Sequence, residues 1–224
     1  MNGVPVITID GPSGSGKGTL ASRVAETLGW RLLDSGAIYR VLGFAVERAG
    51  ISFENVDKVA ELARNLDLSF SQGKVLLGQD DVSDAIRTET AGNAASKVAA
   101  IPLVRQALLD WQQSYAKAPG LVADGRDMGT VVFPTAEVKI FLTASVEERA
   151  LRRYKQLKEK GLSVNLADLT DEIKERDERD SGRAVAPLRA ASDAWQLDST
   201  QFSAEEVYQQ VMQRVYNALP ESAS

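Results

Sequence analysis

A glycine-rich stretch with a single lysine runs from Gly11 to Thr19 and has the sequence GPSGSGKGT. It follows the apolar, β-branched run Val6–Ile9 and leads into a helical pattern over Lys17–Leu28. Glycines allow the backbone to curl so that successive N–H groups point inward, and the start of a helix adds positive charge. Since Lys17 supplies a mobile cation, the sequence predicts a site for the phosphates of a nucleoside triphosphate.

The residue after the lysine departs from the usual loop. In most such loops it is Ser or Thr, whose hydroxyl binds Mg²⁺, but here it is Gly18, with Thr19 one position later. We therefore expect Mg²⁺ to be held by the nucleotide, by waters and by carboxylates behind them, which suits a small, water-retaining cation. The GKGT form resembles that of nucleoside monophosphate kinases, and the sequence contains no N-K-x-D motif of the kind a GTPase uses to read guanine.

Two acidic residues stand where predicted strands end. Asp34 lies in LLDSGAIYR and Asp124 in ADGRDMG. Ligands of α/β sheets bind beyond the carboxyl ends of the strands, so both residues are candidates to hold Mg²⁺ through water. Asp124 has the position of a Walker B carboxylate.

Polar residues follow each of these acids. Ser35 has two interpretations, as the N-cap of the next helix or as a phosphate ligand. Arg40, about one helical turn later, is placed to reach an anion near Ser35 with its planar guanidinium. Arg126 and Asp127 follow Asp124 directly, and are either a structural ion pair or part of a site.

Arginines are grouped in the last third of the chain. They form two groups, and if each segment is helical, the arginines of a group lie on one face of the helix. The first group is Arg149, Arg152 and Arg153. The second is Arg176, Arg179 and Arg183, with Asp177 and Asp180 beside them. Phosphoryl transfer depends on positioning and on neutralising negative charge, so grouped arginines are candidate clamps. The alternative is a set of exposed ion pairs, which fits Arg152 best.

The amino-acid composition limits which catalytic side chains and which binding partners the protein can have. The 224 residues carry a net charge of −5 and include neither Cys nor His, which excludes disulfides, thiol chemistry and imidazole catalysis. Carboxylates, Lys17 and arginines must therefore do the chemistry. The acidic balance argues against a nucleic-acid partner. No apolar run has the length of a membrane span, and the first strand leaves little room for a signal peptide, so we expect a cytoplasmic protein. We further expect a monomer whose partners are small nucleotides.

Strands and helices alternate along the chain, which predicts an α/β fold with a parallel sheet flanked by helices. The predicted strands are Val6–Ile9, Arg31–Leu33, Leu121–Ala123, Val138–Leu142 and Trp195–Leu197. The predicted core helices are Lys17–Leu28, Val146–Lys160 and Glu205–Leu219. Residues 36–119 interrupt the alternation and predict an inserted lobe. Its predicted helices are Ala37–Ala49, Val56–Leu66, Glu89–Ala99 and Leu103–Ala116, with an antiparallel hairpin over LDLSFSQGKVLLG. Residues 151–190 are dense in charge and predict a helical hairpin over the site.

Five segments together resemble those of the bacterial cytidylate kinases, over nearly the whole chain. They are GPSGSGKGT, LLDSGAIYR, NAASKVAAIPLVR, DGRDMGTVVFP and ERDERDSGRAVAPL. The resemblance implies transfer of the γ-phosphoryl group of ATP to CMP or dCMP with Mg²⁺. It also implies one P-loop kinase domain over residues 1–224, in which residues 36–119 are a monophosphate-binding lobe with a small antiparallel sheet and residues 151–190 are a short helical lid.

The resemblance also implies roles for individual residues. ATP would be bound by Gly11, Pro12, Ser13, Gly14, Ser15, Gly16, Lys17, Gly18, Thr19, Arg149 and Arg153. The acceptor's phosphate would be held by Ser35, Arg40 and Arg126, its cytosine by Ser96, Arg105 and Asp127, and its sugar by Asp180 and Arg183. The catalytic set would be Lys17, Arg126, Arg176 and Arg179. Two alternatives stay open from the residues: a kinase for another small acceptor, such as UMP or shikimate, and an ATP-binding switch without a second substrate.

Overall fold

The computed structural model describes residues 3–71, 73–159 and 161–220. The chain divides into two compact units, Met1–Leu33 with Tyr115–Ser224 and Asp34–Ser114. In the described ranges, no helix is both long enough and apolar enough to cross a membrane.

The strands are β1 (Val6–Asp10), β2 (Arg31–Asp34), β3 (Leu68–Ser71), β4 (Lys74–Leu77), β5 (Asp80–Asp81), β6 (Leu121–Gly125), β7 (Val138–Thr143) and β8 (Trp195–Asp198). The helices are α1 (Lys17–Leu28), α2 (Ser35–Arg48), α3 (Val56–Arg64), α4 (Glu89–Ala99), α5 (Pro102–Gln113), α6 (Val146–Glu159), α7 (Leu166–Ser181) and α8 (Ala204–Ala218). Short 3₁₀ and π-helical turns lie at Ala85–Arg87 and Met128–Val132.

A parallel five-stranded sheet forms the first unit, in the order β2-β6-β1-β7-β8. Every residue of β1 and β6 is buried, as expected of central strands covered on both faces. The register pairs Val6 with Leu121 and Asp10 with Gly125. The two strands therefore end together, and the glycine-rich loop and the segment after β6 leave the sheet at the same edge.

Helices α1 and α8 bury their apolar faces against this sheet. The core that they form with the strands includes Ile7, Ile9, Val24, Ile140, Leu142 and Val211, each no more than 1% exposed. Helix α8 begins with a capping box, in which the Ser203 hydroxyl accepts from the backbone N–H of Glu206 and the Glu206 carboxylate accepts from that of Ser203. The core thus holds α1, and with it the end of the glycine-rich loop, on the sheet.

The second unit combines α2 to α5 with a three-stranded antiparallel sheet in the order β3-β4-β5. Strands β3 and β4 form a hairpin in which Leu68 pairs with Leu77 and Ser71 with Lys74. Buried side chains of the helices, such as Val41, Leu42, Val59, Val98 and Val104, supply its apolar interior.

The predicted fold class is confirmed: the structure has a parallel sheet flanked by helices and a small antiparallel sheet. All five predicted core strands are present. Helix α5 ends at Gln113, three residues before the predicted end at Ala116. The predicted hairpin is found as β3 and β4, whereas β5 was not expected. Lys160, the predicted last residue of α6, lies outside the described residues.

The N-cap of α2 is Asp34, so the interpretation of Ser35 as the cap is wrong. An Asp34 carboxylate oxygen accepts the backbone N–H of Ala37 at 3.0 Å, and Ser35 is the first residue of the helix. Asp and Ser are both good N-caps, and the two are adjacent here. The choice between them depends on where the backbone leaves β2.

Candidate active site

The glycine-rich loop connects β1 to α1, and the side chain of its lysine folds back to contact the loop backbone. Lys17 is 8% exposed, and its ammonium donates to the carbonyl of Pro12 at 3.0 Å. Gly16, directly before α1, has a φ of 89°, a conformation that favours glycine. The Ser15 hydroxyl is buried and has no hydrogen-bond partner among the described residues. A buried polar atom of this kind is expected to find a partner, and a bound phosphate would provide one.

Arg149, on α6, donates a hydrogen bond to the backbone of the glycine-rich loop. Its guanidinium donates to the carbonyls of Ser13 and Ala144, each at 3.0 Å, and pairs with Asp177 of α7. The residue is 3% exposed. Arg149 therefore holds the backbone of the loop that the sequence predicts to bind ATP. A direct contact between Arg149 and the nucleotide stays a prediction.

Arg152 also reaches the loop region, and its interpretation as an exposed ion pair is only partly right. It does pair with Glu148, Nε to Oε1, at 2.9 Å. Its Nη2 also donates to the carbonyl of Ser199 at 2.8 Å, and its Nη1 to the Ser199 hydroxyl at 3.1 Å. Arg153 donates to the side-chain oxygen of Gln156 at 2.6 Å, and its predicted place beside ATP stays a prediction.

A cavity of about 310 Å³ opens beside the loop. It is lined by loop and α1 residues, by Arg152 of α6 and by the segment after β8, including Ser15, Thr19, Leu20, Ser199 and Phe202. Its lining includes both apolar and polar side chains. The sequence interpretation missed this cavity because Phe202 and Ser199 belong to a loop without a recognisable motif.

Asp124, on β6, lies against the loop at the position of the unusual glycine. The residue is 7% exposed, and a Cβ placed on Gly18 would lie 3.2 Å from its Oδ2. A Ser or Thr at position 18 would therefore crowd this carboxylate. The structure thus places an acidic side chain of β6 beside the position at which most loops of this type have a hydroxyl. Over residues 3–71, 73–159 and 161–220, no three or more acidic side chains cluster as metal ligands.

Asp10 is a buried acid at the end of β1 that the sequence interpretation did not select. Its two oxygens accept the backbone N–H groups of Met128 and Gly129, each at 2.8 Å. Burial raises the pKa of Asp10 to about 7, and the charges of Asp127 and Asp124 add to the rise, while the two N–H bonds oppose it. The sequence could have indicated this residue, because Asp10 directly follows the predicted strand Val6–Ile9 just as Asp124 follows Leu121–Ala123.

Three residues predicted to contact the acceptor are brought together in the first unit. Asp180, 1% exposed, accepts from Arg126 Nε at 3.2 Å and pairs with Arg183 Nη2. Helix α7 ends at Ser181, so Arg183 lies beyond the helix that was predicted to include it. Arg176 is half-buried and Arg179 exposed on α7. Asp127, next to Arg126, is 2% exposed.

The other predicted acceptor residues lie in the second unit. Ser35 and Ser96 are buried on α2 and α4. Arg40 donates to the carbonyls of Ile86 and Thr88 at 2.9 and 3.1 Å. Arg105 donates to the carbonyl of Ala99 at 3.3 Å and lies 5.5 Å from the centre of the Tyr39 ring. The structure thus holds both arginines in fixed orientations.

A family model described as cytidylate kinase matches residues 7–217. The chain belongs to the cytidylate kinase family. It is 59% identical to a cytidylate kinase of Stutzerimonas stutzeri, over 95% of each chain. A cytidylate kinase of Methylococcus capsulatus is 60% identical, over 92% of this chain and 94% of the relative. The match confirms the resemblance found in the sequence.

Among solved structures, an uncharacterised protein of Eubacterium ventriosum matches with a TM-score of 0.50. It is 12% identical and is aligned over 96% of this chain and 99% of its own. The likeness concerns the fold alone.

Proposed function

We propose that this protein transfers the γ-phosphoryl group of ATP to CMP or dCMP, giving ADP and the nucleoside diphosphate. The observation that carries the proposal is the match to cytidylate kinases at 57–60% identity over 92–96% of the chain. The family model spans residues 7–217, which include the glycine-rich loop and the arginine groups.

The geometry of the first unit supports the donor role. The loop over Gly11–Thr19 and the Lys17 ammonium take the triphosphate, and Arg149 holds the loop in shape through Ser13. The neighbouring cavity, with Leu20 and Phe202 in its walls, is of the right kind for the adenine ring, because such pockets are mostly apolar with a few polar groups.

Mg²⁺ fits the residues present. Asp124 stands against Gly18, where its carboxylate can bind water of a hydrated Mg²⁺ that the nucleotide holds. When bound, Mg²⁺ would neutralise charge on the phosphates. Asp34, the second predicted carboxylate, caps α2 with one oxygen, and its role toward Mg²⁺ stays a proposal.

Recognition of the acceptor is proposed from the chemistry of cytosine. Its amino group is a donor that the buried Asp127 accepts, while ring N3 and O2 are acceptors that Arg105 and Ser96 can satisfy. Arg40, Ser35 and Arg126 would hold the phosphate, and Asp180 with Arg183 the sugar. Uracil presents the opposite donor pattern at this edge, so UMP should be the poorer substrate.

The proposed reaction needs no general base. An oxygen of the CMP phosphate, already anionic at neutral pH, attacks the γ-phosphorus as the bond to the ADP oxygen breaks. Lys17 and Arg126 neutralise the developing charge, and Arg176 and Arg179 would do so as residues 151–190 close over the phosphates. Exclusion of water by that closure prevents hydrolysis of ATP. The absence of histidine from the sequence is compatible with this chemistry.

An acceptor panel tests the proposal. ADP release, measured in a coupled assay, should be fast with CMP or dCMP, slower with UMP, and near background with shikimate or with ATP alone. Faster turnover of another acceptor would overturn the cytidylate assignment. ATP hydrolysis that no acceptor stimulates would indicate a switch instead. Monomeric state and cytoplasmic location are proposed with it, and light scattering and cell fractionation would test them.

A further inference from the structure

The side chain of Asp10 connects two segments that leave the sheet at one edge. Asp10 ends β1 and is followed directly by Gly11, the first residue of the glycine-rich loop, which is called the phosphate loop below. Its Oδ1 accepts from the N–H of Met128 and its Oδ2 from the N–H of Gly129, both at 2.8 Å. These partners are 118 and 119 residues away in the sequence. One carboxylate therefore fastens the turn after β6 to the strand that carries the loop.

The two amides are the first of the π-helical turn Met128–Val132. The first N–H groups of any helical turn lack partners within that turn, so a carboxylate that accepts two of them caps it. Asp10 is 5% exposed, and water cannot easily take its place. The turn is thus held by a side chain from another strand rather than by a cap of its own.

Close packing leaves this turn little room to shift. A Cβ on Gly129 would lie 2.8 Å from Thr8 Oγ1 and 3.2 Å from Lys139 Cδ. The backbone of the turn therefore lies directly on β1 and β7. Arg126 and Asp127 immediately precede the turn, so its position sets theirs.

We propose that Asp10 is a positioning residue, which holds Arg126 and Asp127 in register with the phosphate loop so that Asp127 can discriminate cytosine from uracil. This inference rests on the proposed function, in which Asp127 accepts from the cytosine amino group. In this proposal Asp10 needs no contact with either nucleotide. Its effect is transmitted through the amides of Met128 and Gly129.

The test is base selectivity in Asp10→Asn, which keeps the size of the side chain but offers one oxygen instead of two. Its amide NH₂ must then face a backbone N–H, so at least one of the two bonds is lost. We expect the ratio of kcat/KM for CMP over UMP to fall at least fivefold and KM for CMP to rise, while KM for ATP stays within twofold. A residue that only stabilises the fold would not change base selectivity.

Glu137→Gln is the matched control. The Glu137 carboxylate also accepts a backbone N–H of β1, that of Val6 at 2.7 Å, but it does so at the opposite end of the strand. We expect its CMP to UMP ratio to equal that of the wild type. An equal fall in both variants would overturn the proposal, as would an unchanged ratio in folded Asp10→Asn.

A second variant, Asp10→Ser, covers the case in which Asp10→Asn does not fold. The serine hydroxyl ends about where the Cγ of Asp10 lies, so it is too short to make either bond directly, and the smaller side chain admits water. The same fall in selectivity is expected. If neither variant folds, Asp10 acts in folding and the proposal is wrong. A wild-type enzyme that does not phosphorylate CMP overturns the proposed function itself, whereas an active wild type with an unaffected Asp10→Asn overturns this inference alone.

Discussion

The Arg149 guanidinium donates to both carboxylate oxygens of Asp177, at 3.2 Å from Nη1 to Oδ1 and 2.5 Å from Nη2 to Oδ2. The side chain of Arg149 is 4% exposed and that of Asp177 22%. The same guanidinium holds the loop carbonyl of Ser13. The phosphate loop, α6 and α7 thus meet at one buried cation, and a two-bond pair of this kind fixes orientation as well as charge.

Removal of Asp177 should therefore destabilise the first unit. In Asp177→Ala the buried Arg149 charge loses its counter-ion, and we expect the free energy of unfolding to fall by about 1–3 kcal/mol, as for a hydrogen bond to a charged group. Urea unfolding followed by circular dichroism measures it. Asp171→Ala, which removes an exposed partner 3.6 Å from Lys174, should change stability by less than about 0.5 kcal/mol. An equal fall in the free energy of unfolding in the two variants would show that the buried Arg149–Asp177 pair stabilises the fold no more than an exposed ion pair does.

Lys17→Met should abolish most turnover and leave the fold intact. The methionine keeps the length of the side chain but removes the charge that we propose neutralises the transferred phosphoryl group, and we expect kcat to fall at least about a hundredfold. Steady-state ADP release and circular dichroism together check this. Lys117→Met, at an exposed lysine outside the loop, should retain wild-type kcat. Near-wild-type turnover in Lys17→Met would show that the triphosphate binds elsewhere.

Asp124→Asn should weaken the response to Mg²⁺. The substitution keeps the shape of the buried side chain beside Gly18 and removes its charge. A neutral amide attracts a hydrated divalent cation less than a carboxylate does, so the Mg²⁺ concentration for half-maximal activity should rise several-fold. Titration of Mg²⁺ at fixed ATP measures this, with Asp171→Asn as a control for loss of one exposed acidic charge. An unchanged Mg²⁺ requirement would place the cation away from β6.

Asp127→Ala should impair the use of CMP far more than the binding of ATP. If Asp127 accepts from the cytosine amino group as proposed, its loss leaves that group unpaired in a buried site, which costs affinity for CMP alone. We expect KM for CMP to rise by at least an order of magnitude and the Kd for ATP to change less than twofold, the latter by calorimetry. Similar losses for both nucleotides would contradict a role in base reading.

The local signals in the sequence were sufficient for the core of the fold. Strand β1, the glycine-rich loop and α1 follow from an apolar run, a glycine pattern and a helical period, all within 25 residues. Asp34 and Ser35 show where such signals end. Both residue types cap helices, and only the path of the backbone after β2 selects Asp34.

Long-range contacts account for the features that the sequence could not show. The bonds from Asp10 to Met128 and Gly129 join residues more than a hundred positions apart, and no local pattern specifies them. Arg152 resembled a helix-surface arginine because its partner Glu148 is four residues away, whereas its contacts with Ser199 cross 47 positions. Residues that complete the site from distant segments become visible only when the sheet brings those segments together.

The most direct test of the proposed activity follows the phosphoryl group itself. ATP labelled with ³²P at the γ-position is incubated with the enzyme, Mg²⁺ and CMP, and the products are separated. The account predicts that the label appears in the β-phosphate of CDP in equal amount to the ADP formed. Label found only in inorganic phosphate, with no CDP, would contradict it.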